Sequence, residues 1–166
     1  MDPIIVIGTG LAGFNLVKEL RKLDKTTPII MLTSDDGRNY SKPMLSNGFA
    51  KQKDADALAM ATAEQTSAQF DVTLRAGVNV TALDTAAKRI EIGDETLTYS
   101  KLVLAMGADV FRPPMTGDAL DQVYTVNDLM DYARFGKALA GKKKVLIIGG
   151  GLIGCEFAND LIAGGF

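Results

Sequence analysis

Six glycines carry the spacing in this chain that can do chemistry. They are Gly8, Gly10 and Gly13 in Gly-Thr-Gly-Leu-Ala-Gly, and Gly149, Gly151 and Gly154 in Gly-Gly-Gly-Leu-Ile-Gly. Each triplet follows an apolar run, Ile4–Ile7 or Val145–Ile148, and opens a segment with helical apolar spacing. Strand, tight turn and helix in that order present free backbone N–H groups and the positive end of a helix dipole to a phosphate. The first glycine of such a turn permits the bend and the second lets backbone approach a pyrophosphate. The third lets the helix lie close on its strand. The chemistry this spacing points to is dinucleotide binding, at two places.

Other reactive groups are sparse. Histidine is absent and Cys155 is the only cysteine, so the commonest general base is missing and a metal centre built from this chain is not expected. Neither a catalytic side chain nor a metal ligand is assigned. Cys155 lies at a helix start, where a thiol can be activated, but it reads first as a small buried side chain. One cysteine permits no internal disulfide and gives no sign of an oxidising compartment, so the cytoplasm is the expected location.

The elements that must position these groups follow in chain order. A helix is expected over 11–23, and Pro28–Thr33 reads as a second buried strand, completing a β-α-β unit. Dinucleotide folds place a ribose-holding residue at the end of that strand, where Thr33, Ser34, Asp35 and Asp36 are the candidates. Pro43 suits the first position of a short helix ending near Ala50, and 57–70 reads as mostly helical. Val72–Arg75, Val78–Leu83, Lys88–Ile92 and Thr96–Tyr99 read as strands, the last two forming a hairpin across Gly93-Asp94. Leu102–Gly107 is a further buried strand. Asn127 is placed to cap a helix reaching Ala140 and closed by Gly141. Lys142–Lys144 then leads into the strand Val145–Ile148 and a helix over 152–163. The lysine triplet is either the polar mouth of that strand or part of a surface for an acidic protein.

Composition bounds the class. With 47% hydrophobic and 23% charged residues in 166, the chain is that of a soluble globular protein able to bury a core. A net charge of −2 offers no footprint for nucleic acid or an anionic membrane. The most apolar long stretch, 145–166, carries Glu156, Asn159 and Asp160 and is not expected to span a membrane.

Five segments together resemble the two-dinucleotide flavoprotein reductases, the FAD-dependent pyridine nucleotide-disulfide oxidoreductase superfamily. They are Gly8–Gly13, Asp36–Ser46 (Asp-Gly-Arg-Asn-Tyr-Ser-Lys-Pro-Met-Leu-Ser), Val103–Ala108, Asn127–Leu129 and Gly149–Ala158. The Tyr-Ser-Lys-Pro-Met-Leu-Ser and Gly-Cys-Glu-Phe-Ala stretches are the more selective, and within the superfamily they are similar to the rubredoxin–NAD reductase branch. The resemblance implies an α/β fold: a Rossmann-like parallel sheet with an inserted antiparallel β-meander, truncated relative to the family. It implies an FAD-binding region over 1–112 whose C-terminal return is missing, a connecting segment over 113–141, and an incomplete NAD(P)-binding domain starting at 142.

It also implies roles by position. Gly8, Thr9, Gly10, Leu11, Ala12 and Gly13 would cradle the FAD pyrophosphate, with Thr33 and Ser34 at the adenosine ribose. Lys42 and Pro43 would lie at the flavin end, Val80 at the adenine edge, and Ala105 and Gly107 beside the cofactor, with Met106 where the family has Thr. Glu156 would point toward flavin and nicotinamide and pair with Lys42. Gly149, Gly151 and Gly154 would receive NAD(P)H. The implied activity is NAD(P)H oxidation through FAD with electrons passed to a small iron carrier, rubredoxin or a similar protein. The alternatives are a ferredoxin reductase or NADH oxidase relative, and a non-catalytic FAD-binding fragment. Disulfide reductases of this architecture carry a cysteine pair in the first domain, which this chain lacks.

Overall fold

The computed structural model describes Met1–Phe166. In chain order its elements are β1 (Ile4–Ile7), α1 (Leu11–Leu23), β2 (Ile29–Leu32), β3 (Asn39–Tyr40), two 3-10 turns (Lys42–Asn47 and Phe49–Lys51), α2 (Ala55–Leu58), β4 (Ala59–Ala61) and α3 (Ala63–Phe70). There follow β5 (Thr73–Arg75), β6 (Ala82–Asp84), β7 (Arg89–Ile92), β8 (Glu95–Thr98), β9 (Lys101–Leu104), a 3-10 turn (Leu120–Gln122), α4 (Leu129–Leu139) and α5 (Leu152–Ala163). They form two compact units, residues 1–39 with 60–108 and residues 40–59 with 109–166.

The first unit is built on a four-stranded sheet of order β5-β2-β1-β9. All three pairings are parallel, with Ile5 of β1 opposite Ile30 on one side and Leu102 on the other. A parallel strand paired on both edges is covered on both faces, which is why β1 reads as an unbroken apolar run. Alternation sends Ile4 and Val6 to one face, where they pack with Phe14 and Val17 of α1. It sends Ile5 to the other face, against Leu32, Ile90 and Tyr99. Ile90 belongs to the antiparallel meander β6-β7-β8, so the meander covers the sheet face that α1 does not. The parallel sheet with its inserted meander is the expected architecture.

The second unit packs Leu45, Ala55, Leu58, Leu129 and Tyr132 into its own core. Phe49 stacks on Tyr132 with ring centroids 4.7 Å apart, and Phe135 meets Phe49 edge-on.

Four local expectations are corrected. Residues 57–70 do not form one helix. Chain turns out at β4, and a capping box between Thr62 and Gln65 starts α3 afresh. Val78–Leu83 is ladder-paired only over Ala82–Asp84. The cap of α4 is Asp128, whose side chain accepts from the Asp131 N–H, and not Asn127. Val145–Ile148 is not a strand: a ladder needs a partner, and this segment has no paired neighbour, with Leu146 87% exposed. No helix is long and apolar enough to cross a membrane.

Candidate functional site

In the first unit the glycine loop leaves β1 at the C-terminal edge of the parallel sheet, where α/β folds bind ligands. Gly8 has φ +109, and a Cβ there would lie 2.2 Å from the Ala105 carbonyl oxygen, so backbone conformation and packing both require glycine. The Gly8 N–H donates to Leu32 O at 2.8 Å and the Ala105 N–H to Ile7 O at 2.7 Å. These bonds set the loop between the ends of β2 and β9. They bring Gly8, Thr33 and Ala105 side by side. A Cβ on Gly13 would lie 2.1 Å from Gly8 O, so α1 sits as close to the loop as backbone permits.

Gly10 is different. Its φ of −75 suits any residue, and nothing lies within 4 Å of where its Cβ would be. Nothing in the chain itself demands glycine at this position. Gly10 is also the cap of α1 and has no side chain to satisfy the first-turn N–H groups; that turn carries no acid. Open donors behind a residue with no side chain are what a phosphate would need, and a dinucleotide pyrophosphate fits Thr9, Gly10, Leu11 and Ala12 on that ground.

Asp35 organises the loop after β2. Its Oδ1 accepts from the Thr33 hydroxyl at 2.7 Å, the Gly37 N–H at 2.8 Å and the Thr9 hydroxyl at 3.4 Å. The Thr33 hydroxyl is thus committed and buried, while Ser34 is exposed at the sheet edge. Val78 N–H donates to Thr33 O, which draws the 78–81 segment to the same edge. The half-buried Val80 packs against the core cluster of Ile5, Leu32, Ile90 and Tyr99. Gly107, at φ +73, follows Ala105 with open space around it.

The second unit holds the remaining predicted residues. Pro43 sits at the start of the 3-10 turn Lys42–Asn47, and both Lys42 and Pro43 are exposed. Lys42 Nζ donates to Asn127 Oδ1 at 2.8 Å. The Ser46 hydroxyl donates to Glu156 Oε2 at 2.8 Å. The expected ion pair between Lys42 and Glu156 is therefore not formed, because each is engaged by a neutral partner that no spacing rule marks. One turn further along α5, the buried Asp160 accepts from the Phe49 and Ala50 N–H groups, both at 2.9 Å. Its one signal in the sequence is an acid four residues after Glu156 in a mostly apolar helix.

Nearby, the Tyr132 hydroxyl donates to Lys53 O at 2.7 Å. Burial, reinforced by the Asp160 and Asp54 charges, pushes its pKa up to about 12. It remains a donor at neutral pH.

The second glycine loop repeats the first in detail. Gly149 has φ +114, and a Cβ on Gly154 would lie 2.1 Å from Gly149 O. Gly151 caps α5 at φ −76, again with open space at its Cβ position. Cys155 is exposed rather than buried, because the first turn of α5 is uncovered, with Leu152 at 76% and Ile153 at 60% exposure.

Comparison with known proteins agrees with this geometry. A family model described as pyridine nucleotide-disulphide oxidoreductase matches residues 2–165. The chain is 63% identical over its full length to a rubredoxin-NAD(+) reductase of Alcanivorax borkumensis, covering 44% of that protein. It is 43% identical over 99% of its length to a nitric oxide reductase FlRd-NAD(+) reductase of Vibrio vulnificus, covering 43% of it. The crystal structure of NADH:rubredoxin oxidoreductase from Clostridium acetobutylicum superposes with a TM-score of 0.80 at 26% identity, over 98% of this chain and 42% of that one. The chain thus spans less than half the length of these relatives. On its sequence match and its fold, the chain belongs to the pyridine nucleotide-disulphide oxidoreductase family.

Proposed function

We propose that the chain is the FAD-cradling portion of an NAD(P)H-dependent flavoprotein reductase whose electron acceptor is a small iron carrier, rubredoxin foremost. The observation that carries this reading is the 63% identity, sustained over all 166 residues, to a rubredoxin-NAD(+) reductase. In this reading residues 1–112 serve FAD, 113–141 connect, and 142–166 begin the NAD(P) region. Bound flavin supplies hydride acceptance from a nicotinamide and single-electron release. The chain's own residues bind and orient. Leu11 and Ala12 offer N–H groups to the pyrophosphate, Ser34 and the Thr33 backbone meet the ribose, and the Val80 backbone meets the adenine edge. Ala105 and Gly107 flank the cofactor, while Lys42, Pro43 and Glu156 serve its flavin end. Gly149, Gly151 and Gly154 form the corresponding cradle for NAD(P)H.

A second reading is a non-catalytic FAD-binding fragment. It is favoured by Val145–Ile148, which has no sheet around it on which a nicotinamide crevice could form. Purified chain mixed with FAD should retain flavin absorbance through gel filtration. NADH-driven bleaching followed by rubredoxin reduction would establish the first reading for this chain alone. Bound flavin without bleaching would confine this chain to cradling FAD. A colourless chain would overturn both.

A further inference from the structure

We infer that Asp160 is a positioning residue for the flavin-side segment, gripping residues 42–51 from helix α5. This inference rests on the FAD reading above. Two carboxylates one helical turn apart, Glu156 and Asp160, hold that segment at two points. The Ser46 hydroxyl has one hydrogen for two acceptors, Glu156 Oε2 at 2.8 Å and the Pro43 carbonyl at 3.2 Å, and the shorter bond to the carboxylate takes it. Asp160 takes the Phe49 and Ala50 N–H groups with one oxygen each, capping the turn Phe49–Lys51, which has no side-chain cap of its own from Gly48.

The choice of residue type is informative. A buried carboxylate is costly unless its lone pairs are met. Asp160 is 5% exposed, and the partners that meet it are two backbone donors. Charge-assisted bonds of this kind are shorter and stronger than neutral ones. The turn it caps is locked further by the Phe49–Tyr132 stack and by Gly48, where a Cβ would lie 2.2 Å from the Tyr132 hydroxyl. The segment carrying Lys42 and Pro43 is therefore held by the helix that opens at the second glycine loop. Placement of the flavin-side residues depends on a carboxylate whose two oxygens are both taken by backbone N–H groups.

The test compares wild type, Asp160→Asn and Ser46→Ala by amide exchange, FAD titration and visible circular dichroism of bound flavin. Asparagine keeps the size of the side chain but turns one of the two acceptors into a donor facing an N–H. Exchange at Phe49 and Ala50 should accelerate at least about tenfold in Asp160→Asn, with Ile5 and Met31 unchanged. FAD binding should weaken about tenfold, the loss of roughly one charge-assisted bond, and the flavin dichroism should change. Ser46→Ala, which leaves Asp160 in place, should shift the dichroism in the same direction with a smaller loss of affinity. Should Asp160→Asn fail to fold, Ser46→Ala alone still reads whether the α5 grip reaches the flavin. A wild type that binds FAD, beside variants with unaltered affinity and dichroism, overturns the positioning role alone. A wild type that binds no FAD overturns the functional reading and the inference together.

Discussion

The two glycine loops are nearly the same object in different surroundings. Their first glycines have φ +109 and +114 and their capping glycines φ −75 and −76, and a Cβ on either third glycine would lie the same 2.1 Å from the first glycine's carbonyl oxygen. Outside the turn they differ. β1 is paired on both edges, and a Cβ on Gly8 would run into the Ala105 carbonyl, whereas Val145–Ile148 has no paired neighbour and a Cβ on Gly149 would meet nothing within 4 Å. The turn is thus dictated locally, by three glycines and the helix they open. Whether it becomes part of a crevice is dictated by strands brought from elsewhere in the chain.

Substitutions that add one methyl group separate these causes. Gly8→Ala combines backbone strain with a clash against fixed backbone and should cost about 4 kcal/mol, seen as loss of a folded first unit in urea denaturation. Gly149→Ala carries the strain alone and should cost about 1–2 kcal/mol. Equal costs would mean that the surroundings of the two loops do not matter. Next in size is the pair Gly13→Ala and Gly154→Ala, which meet the same clash. In the first unit relief must open the packing of α1 on Ile4 and Val6, while Val145–Ile148 is held by no strand pairing. The first should therefore be the more destabilising by roughly 2 kcal/mol.

The pH edges of the two units should differ more subtly. Asp24, after α1, is held well below the usual carboxylate range by the Thr27 hydroxyl and the Thr27 and Thr26 N–H groups. Its contribution is present at neutral pH and is lost as pH falls below that range through its lowered folded value. Amides of the 24–28 connection should then exchange faster in acid. Tyr132 has its pKa raised to about 12. Its contribution is present below about pH 10, its unfolded value, and is lost as pH climbs toward the folded one. Protection of α4 amides should fall over that alkaline window and not in acid.

Much of the first unit was legible because its signals are short-range. The apolar run Ile4–Ile7, the glycine spacing and the meander around Gly93 each follow from a few neighbouring residues. The break at β4 was not read, because helical composition on both sides hid the capping pair Thr62 and Gln65. What could not be read were side-chain partners far apart in sequence. Lys42 finds Asn127 and Glu156 finds Ser46, separations of 85 and 110 residues that no periodicity encodes. Val145–Ile148 is strand-like in composition yet unpaired, because composition reports what a segment tolerates and a ladder requires a neighbouring strand.

Gly10 tests the central claim most directly. Its backbone conformation suits any residue and its Cβ position is open, so neither backbone strain nor packing explains the glycine. Gly10→Ala should cost no more than about 1 kcal/mol of stability, the difference between Gly and Ala as a helix cap, and weaken FAD binding by well over tenfold, as measured by titration against flavin fluorescence. A Gly10→Ala chain that folds and binds FAD as tightly as wild type would contradict the assignment of this loop as the pyrophosphate cradle.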